Sequence, residues 1–247
     1  MRKSRPTSDR GQDEFSSALI FDVQGSTTDF RSTVSAAART IASDRATGVD
    51  WGRFVDEWRR KYRPALDAVL AGTEPWRPVD RIYRSVLDEV IDEYNVGFLT
   101  LDERERINFA WQTIEPWPDA VEGLQRLKRR FKLVTLSNAD VSAMINISKR
   151  GSLPWDAIFT GEMIQTFKPD PHTYEMALRY LGLSAGEAMM VACHKYDLYA
   201  ARELGLKTAF VARPLEFGPD CNVDTSFEDG FDINAHDFLE LATQLGC

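Results

Sequence analysis

The chain lacks any run of about 18 apolar residues, so no segment of it is expected to span a membrane. It also lacks a secretory apolar core. Residues 1–17, MRKSRPTSDRGQDEFSS, begin basic, carry no apolar stretch, and read as a mobile tail. Cysteine is scarce: Cys193, Cys221 and Cys247 are an odd number without metal-type spacing, which suggests neither a disulfide framework nor a zinc site. A soluble, cytoplasmic protein is therefore expected. Positive charge is short as well. With 30 Lys and Arg against 38 Asp and Glu, the net charge of −8 argues against a general nucleic-acid binder and requires that any anionic ligand find a locally positive pocket. No internal repeat occurs, and no low-complexity segment beyond the tail. What remains is an ordinary globular composition, 43% hydrophobic and 28% charged, in 247 residues that can hold one large domain or a core with an inserted lid.

The stretch LIFDVQGSTTDF, residues 19–30, sets the main question. Ala18, Leu19, Ile20 and Phe21 read as a buried parallel strand, which places Asp22 at the strand's carboxyl end, where open α/β sheets hold their ligands. A turn or N-cap aspartate is the alternative for this residue taken alone. Residues 31–115 then change character. Apolar positions three and four apart over 32–46, 51–70, 79–94 and 102–112 predict four helices, rich in tryptophan (Trp51, Trp58, Trp76, Trp111) that packs the helices together or lines a cavity beneath a lid. From Trp117 strand and helix alternate: a helix at 119–129, the strand FKLVTLSN, a further helix and AIFTGEMI, a helix at 171–181, AMMVACH, a helix at 197–204, and KTAFVAR. The expected architecture is α/β, a doubly wound parallel-sheet core (18–30 and 116–247) with a helical cap (31–115) inserted after the first strand.

Polar residues punctuate four strand ends: Asp22, then Ser137 and Asn138, then Lys168 in TFKPDPHTY, then Asp197 in ACHKYDL. In this order they can converge on one crevice at the carboxyl edge of the sheet. With these motifs in place, the sequence resembles the haloacid dehalogenase superfamily over about residues 18 to 240, which implies a Rossmann-like core of that family. Most of its members are magnesium-dependent phosphatases with a second aspartate two residues after the nucleophile. Here that position is Gln24, and an amide cannot serve as a general acid. The last motif offers Cys193 where phosphatases usually place a second acid, so too few oxygen ligands remain for Mg²⁺, and no metal or other cofactor is expected.

The motifs are more similar to the metal-independent L-2-haloacid dehalogenase branch. That resemblance implies an Asp22 nucleophile, Lys168 beside it, and Arg59, in EWRRKY, as the cap arginine that neutralises the substrate carboxylate and receives halide. It further implies Trp76 as an aromatic cap residue beside the leaving halogen, Tyr174 as the tyrosine of the lysine motif, and RPLEFGP as a loop after the last core strand. Ser26 stands for the usual threonine. Ala192 and His194 replace a serine and an asparagine, and the aromatic residue common at position 24 is lost. The implied activity is hydrolysis of a small anionic 2-haloalkanoic acid through an aspartyl ester, with Ser26 and Ser137 holding the substrate carboxylate. Asp197, with His194, would position or deprotonate the water that opens the ester. A phosphatase with an atypical first motif, or a hydrolase acting on another sp³ carbon, is the alternative. Members with this type of cap often dimerise, which leaves a homodimer as an option. Taken singly, Arg59 in its run of charges reads first as a solvated face, and Lys168, Tyr174 and His194 can be structural.

Overall fold

A computed structural model describes residues 16–46 and 48–247. For residues 1–15 the expected tail lies outside the described residues. Its last two residues are not tail-like: Ser16 is buried, and Ser17 donates its amide to Glu187 O at 2.6 Å and accepts from Lys132 N at 3.3 Å, so sheet pairing begins one residue before the first strand.

That strand, β1 (Ala18–Phe21), is buried along its whole length, as an apolar strand covered on both faces must be. A short strand β2 (Thr28–Asp29) leads into helices α1 (Phe30–Ala42), α2 (Trp51–Leu70), α3 (Val79–Glu93) and α4 (Leu101–Phe109), after which β3 (Glu115–Pro116) pairs antiparallel with β2. The four helices thus leave and rejoin the chain through a two-stranded ladder too short to be read from sequence. Then follow α5 (Ala120–Leu127), β4 (Lys132–Ser137), α6 (Val141–Arg150), β5 (Ala157–Thr160), α7 (Pro171–Leu181), β6 (Ala188–Ala192), α8 (Lys195–Glu203), β7 (Lys207–Val211), β8 (Ile233–Ala235) and α9 (Phe238–Gln244). The main sheet is parallel throughout, in the order β5-β4-β1-β6-β7-β8. From β1 the chain winds outward through β4 and β5, returns to the other side of β1 at β6, and winds outward again. The winding direction reverses at β1, and such a switch point opens a crevice beyond the carboxyl ends of the strands. Asp22 is the first residue past β1.

Local rules explain the helices that cover this crevice. In α2 the residues Trp51, Phe54, Val55, Trp58, Tyr62 and Leu66 fall on one buried stripe, and Asp50 caps the first turn by accepting from Arg53 N. The first helix is shorter than its periodicity predicts. It stops at Ala42 because Ser43 takes φ 53°, and a 3-10 turn (Ser43–Ala46) follows. Helix α3 has no side-chain cap from its own chain neighbourhood, since Pro78 precedes it. Its first amides, Val79 N and Asp80 N, donate to Asp140 at 2.8 Å each, and Asp140 belongs to the loop after β4. Among the described residues no helix is long and apolar enough to cross a membrane.

Candidate active site

Four loops meet at the switch point. Asp22, buried behind β1, receives Lys168 Nζ on Oδ1 at 2.9 Å, and on Oδ2 it receives Ser26 Oγ at 2.6 Å and His194 Nδ1 at 3.0 Å. Burial by itself would raise the Asp22 pKa. The Lys168 charge, the His194 hydrogen bond and charge, and the Ser26 hydroxyl outweigh it and hold the carboxyl well below the usual carboxylate range. The result is a buried but ionised carboxylate.

Lys168 is itself fixed at both ends. Asn138 reads its backbone with both faces of one amide, accepting from Lys168 N at 2.7 Å and donating to Lys168 O at 3.0 Å. The ammonium is shared between Asp22 and Asp197. Burial disfavours the ammonium, but these two carboxylates reverse that and keep its pKa above the ordinary lysine value. Asp197, in the first turn of α8, is fully buried. Tyr174 donates to its Oδ1 at 2.5 Å and Lys168 to its Oδ2, while burial and the nearby Asp22 raise its pKa. Both of its oxygens are taken and no surface faces the cavity, so Asp197 is placed to hold Lys168 and not to reach a water, contrary to its expected position. Ser26 is likewise fully buried, with Oγ between Asp22 and the backbone amide of Cys193 (2.9 Å). It orients the carboxylate and is closed to a substrate carboxylate.

A cavity of about 1000 Å³ opens above Asp22, Ser137, Asn138 and Lys168. From α2 the Arg59 guanidinium enters it with no carboxylate partner within 4 Å among the described residues. Arg59 donates to Gln24 Oε1 at 3.2 Å and to the Tyr83 hydroxyl, and lies 4.8 Å over the Tyr62 ring and 5.3 Å over Phe30. Tyr62, Tyr83 and Trp111 form a parallel stack with centroids 4.4 and 4.1 Å apart. Burial, although opposed by Arg59, pushes Tyr83 up to about 12, so its hydroxyl stays neutral beside the cation. The adjacent Arg60 is exposed and pairs with Glu57. Trp58 turns the other way, into the helical core, where its Nε1 donates to Tyr83 O at 2.9 Å. Trp76 does not line the cavity. Half-buried, it packs against the apolar core, and the aromatic side chains that do line the cavity are Tyr62, Tyr94, Tyr196 and Phe217.

Sequence reasoning passed over one group. Glu216, from the loop after β7, is buried against His194, and His194 Nε2 lies 2.8 Å from Glu216 Oε1. With Asp22 on Nδ1 and Glu216 on Nε2, both ring nitrogens face carboxylates, the arrangement that suits an imidazolium. Burial opposes that charge, whereas a Cys193 thiolate, the Glu216 charge and the Asp22 hydrogen bond favour it, and the net pKa lies well above 6.5. Burial pushes the Cys193 thiol up as well, which leaves the two carboxylates as the partners that favour the charged ring. Gly25 makes room for this pair. It sits at φ +92°, and a Cβ there would stand 2.4 Å from Glu216 Oε1.

An ionised aspartate at the switch point, a buried lysine that bridges it to a second acid, and an inserted helical layer match one family in detail. A profile of haloacid dehalogenase-like hydrolases matches residues 17–205. A crystal structure of an L-2-haloacid dehalogenase superposes with TM-score 0.87 at 37% identity, covering 93% of this chain and 99% of that one. The chain belongs to the haloacid dehalogenase-like hydrolases, in their L-2-haloacid dehalogenase branch. The crystal structure of a defluorinating L-2-haloacid dehalogenase superposes with TM-score 0.88 at 35% identity, over 94% of this chain and 96% of the other. The (S)-2-haloacid dehalogenase 4A of Burkholderia cepacia is 25% identical over 201 residues, 79% of this chain and 83% of that protein. Magnesium, used by phosphatases of the superfamily, does not fit the residues present. Both Asp22 oxygens already face donors, two of them cationic, Gln24 is bonded to Arg59, and Asp197 is taken by Lys168 and Tyr174.

Proposed function

We propose that the protein is a hydrolytic dehalogenase of 2-haloalkanoic acids that works through an ester on Asp22 and without a metal, with residues 31–115 as a cap over a core of 18–30 and 116–247. One observation carries the reading. A buried, ionised aspartate with a lysine on it shares its cavity with a guanidinium that has aromatic and amide neighbours but no acid, so the site has a nucleophile and a place for an anion. The names of its relatives point the same way.

In the first half-reaction an Asp22 oxygen attacks the α-carbon of the substrate, the carbon–halogen bond breaks with its electron pair leaving on the halide, and the carbon inverts. Arg59 faces the charge that grows on the halide, and Gln24 and Tyr83 hold its fork in place. Ser137, on the cavity floor, is the hydroxyl open to the substrate carboxylate. Esterification also removes the Asp22 charge, one of the two that sustain the His194 imidazolium. Its Nδ1 proton, left without a carboxylate to face, is then lost to solvent while Glu216 keeps the Nε2 proton, and the free Nδ1 beside Asp22 can take a proton from the water that attacks the ester carbonyl. Hydrolysis returns a 2-hydroxy acid, and water oxygen enters the Asp22 carboxylate. This keeps His194 in the role expected of Asp197 with His194, and puts Glu216 in the place of Asp197.

The test is a paired assay of halide release from 2-chloropropanoate in the presence of a chelator and phosphate release from a generic monoester with Mg²⁺. Halide release that survives chelation, with ¹⁸O from labelled water found in Asp22 after a single turnover, supports the proposal. Phosphate release dependent on Mg²⁺, with no halide released, overturns it.

A further inference from the structure

Three metal-ligating side chains of different chemistry converge beside Asp22. Cys193 Sγ, a His194 ring nitrogen and a Glu216 carboxylate oxygen all lie within 4.8 Å of one another, with Sγ 3.7 Å from Glu216 Oε2 and Nε2 2.8 Å from Oε1. Linear spacing conceals the set, since Cys193 and His194 are adjacent in the loop after β6 and Glu216 lies in the loop after β7. The strands bring them together because β6 and β7 are neighbours in the sheet. We infer that Cys193, His194 and Glu216 form a binding site for a thiophilic divalent cation such as Zn²⁺, whose occupation blocks hydrolysis at Asp22.

The donor set selects the ion. One sulfur, one imidazole nitrogen and one carboxylate oxygen suit the borderline-soft, four-coordinate Zn²⁺ or Cd²⁺, whereas Mg²⁺ would find a single hard oxygen. Ligand atoms of a tetrahedral zinc site stand about 3.5 Å apart at metal distances of roughly 2.0–2.3 Å, so the spread of 4.8 Å closes with small side-chain shifts. The surroundings are already built for such a site. His194 keeps Nδ1 on Asp22 Oδ2 while Nε2 turns to the metal, and a carboxylate behind a ligating histidine fixes the ring and raises its basicity. Gly25 lets Glu216 and the ring close up where any side chain would prevent it. His194 and Glu216 line the large cavity, which gives the ion a path and leaves its fourth position to water. On binding, the thiol proton and the Nε2 proton go to solvent, and the cation is held by a thiolate, a neutral imidazole and a carboxylate. With the ion on Nε2 the neutral ring keeps its proton on Nδ1, against Asp22, so the nitrogen that would accept the hydrolytic proton is filled and Glu216 is held by the metal.

Direct binding tests this independently of any activity. Titrating the full-length protein with Cd²⁺ alone should give one equivalent of thiolate-to-metal absorption in the ultraviolet, and Zn²⁺ should displace it. C193S should lose the band. E216Q should weaken Cd²⁺ by at least about tenfold, the loss that outer partners of a ligand alone can cause. C221S serves as the control, because Cys221 is exposed and lines the same cavity. Retention of the band in C193S, its loss in C221S, or unchanged affinity in E216Q would each overturn the site. Should C193S fail to fold, alkylation of the wild-type protein decides the matter: Zn²⁺ should slow modification of Cys193 and leave Cys221 unaffected, and equal rates with and without Zn²⁺ refute the inference.

Discussion

Asp22, Arg59 and His194 carry separable consequences. Asp22→Asn removes the proposed nucleophile, so halide assays should show turnover at background; because Lys168 meets one Asp22 oxygen and Ser26 with His194 the other, the single amide oxygen cannot serve both sides, and thermal melts should show a lowered melting temperature with the circular-dichroism spectrum of the folded chain retained. For Arg59 the competing account is a solvated charge, and its neighbour provides the control. A helix turns successive side chains by about 100°, which puts Arg60 in solvent against Glu57 and Arg59 over Tyr62. Arg59→Ala should lower kcat by about 10²–10³, the cost of losing one donor aimed at developing charge, whereas Arg60→Ala should stay close to wild type. Equal, slight losses in both would remove Arg59 from the mechanism. His194 gives a pH signature in stability. Its folded pKa lies well above 6.5, so the folded state binds its proton more tightly than the unfolded chain does. The stability gained from that proton is fully present below the unfolded pKa and is lost as pH rises through the folded one. The melting-temperature advantage of wild type over His194→Asn should therefore be largest near pH 6 and shrink toward alkaline pH. An advantage that grew with pH would contradict a charged, doubly bonded ring.

Elements place these residues, and the joint between α3 and the loop after β4 matters most. Asp140 caps α3 across chain segments that are 60 and 61 residues apart, and α3 carries Tyr83, which holds the Arg59 fork. Losing an N-cap acceptor costs roughly 0.5–2 kcal/mol, so Asp140→Ala should lower stability within that range in denaturant unfolding. It should also reduce kcat/KM even though it lies outside the site chemistry, and a stability loss with catalysis untouched would separate α3 from Arg59 placement. The periodic elements were legible in the sequence because they are regular: helix α7 has the expected bounds 171–181, β1 and β6 are continuous apolar runs, and β4 and β7 are apolar but for their lysines, threonines and a closing serine. What escaped was short or non-local. Strands β2 and β3 have two residues each, and β8 and α9 follow a long irregular segment with little apolar patterning. Glu216 sits in a loop with no periodicity, and its only signal was the resemblance of RPLEFGP to a loop of relatives. Trp76 was misplaced because a family position fixes a residue's place in the chain but not the direction in which its ring packs.

At the scale of the whole molecule the cleft is larger than a three-carbon acid requires. Cavities of about 300–1000 Å³ enclose drug-sized ligands, and this one, at about 1000 Å³, reaches that upper bound. The floor at the switch point of the sheet carries Asp22, Ser137 and Lys168, and Tyr62, Pro64, Tyr94, Tyr196 and Phe217 add apolar surface to walls that also carry the charged residues Arg53, Asp56, Glu57, Arg60 and Arg63 of α2. Arg63 from α2 stacks at 4.8 Å over Tyr196 from α8, and Tyr62 from the same helix donates to Asn138 O at 3.2 Å, so the helical insertion meets the core at both places. A 2-halo acid anchored by its carboxylate and halogen at the floor would send its alkyl chain along that wall. Each methylene buried there contributes about 0.8 kcal/mol, or roughly fourfold in affinity. On this account kcat/KM should hold or rise from 2-bromopropanoate to 2-bromohexanoate, with the gain mainly in KM because the added carbons touch the wall equally in ground and transition states. A fall of a hundredfold or more over the same series would mean that the insertion closes onto the core around short substrates and that the outer volume is a vestibule.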